Sequence, residues 1–107
     1  MIEIVFHPAA REEVREGYLY YGAEDEELAL DFERKVNQTL DLIQREPELS
    51  RIRRHKVRRA NLPRFKEHYI AYMLWKDRIV VIAIGHSKRR PYYWYRRPKQ
   101  YRELDPS

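Results

Sequence analysis

The sequence contains no cysteine, so neither a disulfide framework nor a thiolate-bound metal can organise it. Glycine is scarce: Gly17, Gly22 and Gly85 leave no material for a phosphate loop, a dinucleotide fingerprint or a nucleophile elbow. No apolar run approaches the ~18–20 residues of a membrane span, and no basic-then-apolar export signal opens the chain. These absences predict a cytoplasmic protein that engages no membrane and needs no cofactor. His7, His55 and His68 lack metal-ligand spacing, and no cluster of Asp and Glu completes a site, so no metal is expected either.

What remains is aromatic and highly charged. Nine Tyr, two Trp and three Phe in 107 residues, with 43% hydrophobic and 36% charged residues, argue for a compact core under a solvated surface. The length predicts one domain over residues 1–107, with 98–107 as a flexible tail. Charge is distributed unevenly. Residues 1–50 hold 5 Lys/Arg against 13 Asp/Glu, whereas residues 51–107 hold 17 against 4. Either the halves interleave and their charges pair, or the molecule presents a cationic face that attracts phosphate backbones or an acidic protein.

Periodicity gives the order of elements. Ile2 to Phe6 reads as a short strand, and Pro8 opens a helix whose apolar face runs through Ala10, Val14, Tyr18 and Tyr21 to a stop at Gly22. A stripe of Ala29, Phe32, Val36, Leu40 and Ile43 predicts a second helix from Glu24 to Arg45, with acidic residues in its first turn and Pro47 beyond its end. The two form an antiparallel helical hairpin. Lys56 to Leu62, Glu67 to Leu74 and Arg78 to Ile84 then read as strands, the last two joined by a tight turn at Trp75-Lys76-Asp77. Ile79 to Ile84 is apolar at every position, which places that strand centrally and covered on both faces. The fold class is therefore α+β, in the order β-α-α-β-β-β with a three-stranded antiparallel meander. From Pro91 onwards a short helical turn at most is expected, fraying after Pro98.

Two segments carry potential chemistry. Arg51 to Arg59 contains six Lys/Arg in nine positions, and strand alternation sends Lys56 and Arg58 to one face and Val57 and Arg59 to the other. Such a run protects an edge strand from aggregation, or forms an electrostatic footprint together with Arg53 and Arg54. Gly85 to Arg97 combines Lys88, Arg89, Arg90, Arg96 and Arg97 with the consecutive aromatics Tyr92-Tyr93-Trp94-Tyr95. Aromatic faces stack on bases and cations neutralise phosphates, but the same rings could close the core as a lid, a role that suits Trp94. His86, just past a strand end, is placed either for proton transfer or as a structural hydrogen-bonding group. A functional surface requires the Arg-rich stretch and the aromatic segment to meet on one side of the molecule.

Across nearly its whole length the chain resembles the RelE/ParE superfamily of type II toxin–antitoxin toxins. The resemblance rests on Phe6-His7-Pro8-Ala9-Ala10, Tyr20-Tyr21, Ala29 with Phe32, Arg58-Arg59, and Phe65 with Tyr69-Ile70-Ala71-Tyr72. Its most specific block is Ile82-Ala83-Ile84-Gly85-His86-Ser87-Lys88-Arg89-Arg90-Pro91-Tyr92-Tyr93-Trp94, similar to the family's His-x-x-Arg-x-Pro-x-Tyr-Trp ending. It implies an antiparallel sheet packed on a helical hairpin, and a cognate acidic antitoxin that neutralises the toxin.

Two targets follow from the resemblance. RelE-like members cleave mRNA in the ribosome, and ParE-like members inhibit DNA gyrase. For metal-free RNA cleavage, Arg59, Arg64 and Arg89 would supply charge, with His86 or Tyr93 for proton transfer. Tyr93 would need the field of Lys88, Arg89 and Arg90 to act as a base, because a free tyrosine titrates near 10. The long hairpin leans towards the ParE-like members. A non-catalytic nucleic-acid or protein-binding module on the same fold is the alternative. Arg53, Arg54, Lys56, Arg58, Lys88, Arg90, Arg96 and Arg97 would then serve a nucleic acid or an acidic partner.

Overall fold

The computed structural model describes residues 1–104, and 105–107 lie outside the described residues. Strand β1 (Glu3–Phe6) leads into α1 (Pro8–Gly22), where the His7 side chain caps the helix by accepting from the Ala9 N–H at 3.0 Å. Helix α2 (Glu26–Arg45) starts at Asp25, whose carboxylate accepts from the Glu27 N–H at 3.0 Å. Glu24, expected inside this helix, therefore stands outside it. A single 3-10 turn (Arg54–Lys56) precedes β2 (Arg58–Asn61), and β3 (His68–Trp75) and β4 (Arg78–His86) follow. Lys76 and Asp77, with φ of 52° and 59°, form the two-residue hairpin between β3 and β4.

The sheet order is β1-β4-β3-β2. The expected antiparallel meander is present, and β1 joins it parallel to β4, so the sheet as a whole is mixed. As its unbroken apolar run required, β4 is central and covered twice. On one face Ile79, Val81 and Ile84 pack with Ile70 and Tyr72 against Phe32, Val36 and Leu40 of the hairpin. The hairpin closes tightly because Gly17 has no side chain: a Cβ there would lie 2.5 Å from the Phe32 ring. On the other face Val80, Ile82, Ala71 and Met73 pack against Val57 and Trp94.

That second cover corrects the expected tail. Residues Arg97–Leu104 form a helix, α3, anchored by buried Trp94 and Pro98 and by Tyr101 edge-on to Trp75 at 6.0 Å between centroids. The helix has little apolar periodicity of its own, so tertiary contacts hold it. Burial of a large side chain such as Trp94 stabilises by about 1.5–3 kcal/mol, enough to order a short segment. No helix among the described residues is long and apolar enough to cross a membrane.

The central strand also carries an irregularity that shapes the site. Ala71 pairs with Ala83 but Tyr72 with Val81, leaving Ile82 as an extra, bulged residue. β1 pairs with β4 only as far as Phe6 and Val81. Past that point the outer edge of β4 has no strand beside it, and its backbone polar groups require other partners.

Candidate functional site

Glu13 fills the gap. It lies on the inward stripe of α1 with Ala10 and Gly17, and its side chain is 8% exposed. Its Oε1 accepts from the Ile84 N–H at 3.1 Å and from Arg97 Nη1 at 2.8 Å, and that Arg97 nitrogen also donates to the Ile82 carbonyl at 3.1 Å. Its Oε2 accepts from the Tyr93 hydroxyl at 2.6 Å, Arg97 Nη2 at 3.2 Å and Arg89 Nη1 at 3.2 Å. One buried carboxylate thus completes the bulged edge and collects three side chains from the C-terminal segment. Sequence reasoning missed it. The available signal was an acidic residue three positions after Ala10 and four before Gly17, on a face that had to be buried.

The network revises two expected roles. Burial, followed by the hydrogen bond and charge of Glu13, pushes the Tyr93 hydroxyl well above the ordinary tyrosine range. Arg89 and Arg97 oppose that shift without overcoming it, so Tyr93 stays protonated and is no base. Arg97 was expected on the binding surface. Instead it is drawn inward, its side chain 16% exposed, and although burial disfavours its charge, Glu13 more than compensates and raises its pKa.

The remaining basic residues divide by face. Arg53, Arg59 and Arg89 converge on a cleft of about 140 Å3 whose wall includes His86, Tyr92 and Trp94. The Arg59 guanidinium lies 3.9 Å above the Tyr69 ring, and the Tyr69 hydroxyl accepts from Trp94 Nε1 at 3.1 Å. Arg54 stands 5.0 Å over Tyr92, and His55 lies 6.0 Å from Tyr95. The Arg-rich stretch and the aromatic segment therefore do meet, on the sheet face opposite the hairpin. His55, Lys56 and Tyr92 all hold positive φ there, a strained geometry maintained by these contacts.

His86 is oriented rather than free. Its Nδ1 accepts from the Lys88 N–H at 3.1 Å, its Nε2 is 3.3 Å from Glu67, and its ring stands edge-on to His68 at 4.7 Å. Arg64 does not join the cleft: it pairs with Asp31 of α2, whose carboxyl that bond holds below its ordinary value. Arg58 turns to the opposite face, donating to the carbonyls of Glu48 and Ser50, so it pins the loop after α2. Lys88, Arg90 and Arg96 are exposed, and Lys56 lines a separate cleft beside α3.

Residues 4–91 match the family model described as the ParE toxin of the type II toxin–antitoxin system parDE. No curated protein matches the sequence. Among solved structures, the fold is similar to a chain of the chromosomal ParDE toxin–antitoxin system from P. aeruginosa, with a TM-score of 0.71. The two share 17% sequence identity over 80% of this chain and 96% of that chain, a likeness of fold. Tyr93, Trp94 and Arg97 lie beyond the family-matched stretch.

Proposed function

The chain belongs to the ParE toxin family, and on that premise we propose that it arrests growth in the cytoplasm by binding DNA gyrase, without chemistry of its own, until an acidic antitoxin neutralises it. The observation that carries this reading is the engagement of Arg89, Tyr93 and Arg97 by Glu13. Metal-free RNA cleavage needs a group free to take the 2′-hydroxyl proton and cations free to meet charge growing on the phosphate. Here Tyr93 already donates to a carboxylate, Arg97 is buried, and both nitrogens of His86 have neighbours. Such a surface suits recognition better than proton transfer.

One observation favours the second reading, ribosome-dependent mRNA cleavage: Arg53, Arg59 and Arg89 surround a cleft beside His86. Purified protein added to a gyrase supercoiling reaction and, in parallel, to ribosomes translating a defined message separates the two. We expect supercoiling to fail and the message to stay intact. A cut message with unimpaired gyrase overturns the proposal. Silence in both assays, with salt-sensitive nucleic-acid binding, would favour a non-catalytic binding module.

A further inference from the structure

A second cationic cleft, of about 500 Å3, lies between the 3-10 turn, the β3–β4 hairpin and α3. Met73, Leu74 and Pro98 contribute its apolar floor, and Lys56, Lys99 and Arg102 its rim. No Asp or Glu among the described residues lines it, whereas the cavity beside α1 contains Glu13 and Glu16 and the one below α2 contains Glu46 and Glu48. Glu103 approaches Lys99 only at 3.9 Å, and both side chains are exposed. The rim is therefore left with uncompensated positive charge over an apolar surface. Lys99, Arg102 and Pro98 all lie beyond residues 4–91, so this cleft is built by the segment outside the family-matched stretch.

We propose that this cleft docks an acidic peptide segment of the neutralising partner, which rests on the reading of the chain as a toxin with such a partner. One bulky apolar side chain of the peptide sits on Met73, Leu74 and Pro98 while flanking carboxylates meet Lys56, Lys99 and Arg102. Charge alone would equally admit a nucleic-acid strand, but the floor decides against it. A base buried there would lose the hydration of its polar edge, and the floor offers it only a thioether, which already faces Arg102 Nη1 at 3.8 Å. An aliphatic or aromatic side chain incurs no such loss, and Met73 supplies a surface that adapts to its shape.

The probe is a fluorescein-labelled peptide of Glu and Asp with one central Leu, titrated with the full chain and followed by anisotropy. Its Ala-centred version and a labelled oligo-dT serve as comparisons. We expect the Leu peptide to bind roughly tenfold more tightly than the Ala peptide, the order set by burying one apolar side chain. The double reversal Lys99→Glu with Arg102→Glu, at two exposed positions, should weaken it by a further factor of about ten or more. Lys88→Glu, near the other cavity, should leave it unchanged. Equal affinity for the Leu and Ala peptides, no peptide binding, or tighter binding of oligo-dT that is lost on the same reversal would each overturn the proposal. None of those results touches growth arrest or its relief by a co-expressed partner. Failure of growth arrest would instead sink the toxin reading while leaving the peptide titration standing.

Discussion

The Tyr93 hydroxyl donates to Glu13 Oε2 across 2.6 Å, joining residues 80 positions apart in the chain. The contact couples α1 to the segment that covers the opposite face of the sheet. Because the same carboxylate also receives Arg97, Arg89 and the Ile84 N–H, it acts as edge partner for β4, counter-ion for two cations and anchor for the C-terminal segment together. Such a buried group is costly to leave half-partnered, which makes it testable.

Glu13→Gln should lower unfolding stability by about 3 kcal/mol, because Arg97 would remain buried without its charge partner. Adding Arg97→Met should recover a good part of that loss by removing the stranded cation. Urea unfolding of the three proteins measures this. An unchanged midpoint for Glu13→Gln would mean that the carboxylate organises nothing.

Tyr93→Phe separates structure from chemistry. Loss of a hydrogen bond to a charged group should cost about 1.5–3 kcal/mol of stability. Growth arrest should persist at temperatures where the variant remains folded, since the protonated hydroxyl carries no proton in a binding mechanism. Abolished arrest by a folded Tyr93→Phe protein would return Tyr93 to catalysis.

The fold was legible where one element's own pattern decided its place. The α2 stripe, the unbroken apolar run of β4 and the tight turn at Lys76-Asp77 each specify their surroundings from adjacent residues. The site was legible in part. The meander sets β2 and β4 on either side of β3, which brings Arg53 and Arg59 near Arg89, and both segments were marked by their charge density. Glu13 escaped because it sits among other acidic residues, Glu12 and Glu16, and its partners lie 71 to 84 residues away. Helix α3 escaped because Arg97–Leu104 is polar, and only Trp94, Pro98 and Tyr101 docking on the sheet hold it.

Stability should fall as the pH drops below neutrality. Burial, then the neighbouring His86, pushes the His68 pKa down from 6.5 to about 4, and burial with the Arg97 charge lowers that of His7. Between those values the unfolded chain binds a proton that folded His68 refuses. The His68 contribution is therefore complete above about pH 7, declines by up to about 1.4 kcal/mol per pH unit below it, and levels off near pH 4. His68→Gln should flatten this slope in thermal melts between pH 7 and 5. An unaltered slope would assign the acid sensitivity to other groups.

Gly85→Ala should disturb the face that carries the cationic cleft. A Cβ at Gly85 would lie 2.1 Å from the Tyr69 Cζ, inside the ring rather than beside a movable chain end. Tyr69 must then shift, and it supports two neighbours at once: Trp94 through its hydroxyl and Arg59 through its ring face. Overpacking of this kind costs about 1–3 kcal/mol. In a Trp75→Phe background, emission from the buried Trp94 should move to longer wavelength as the indole loses its partner and meets water. Gly22→Ala is the control, because its new Cβ would meet only the Ala29 methyl at 3.4 Å and the backbone there is not left-handed. If both alanine variants melt together with wild type and Trp94 emission holds still, Tyr69 is not the support on which Arg59 and Trp94 rest.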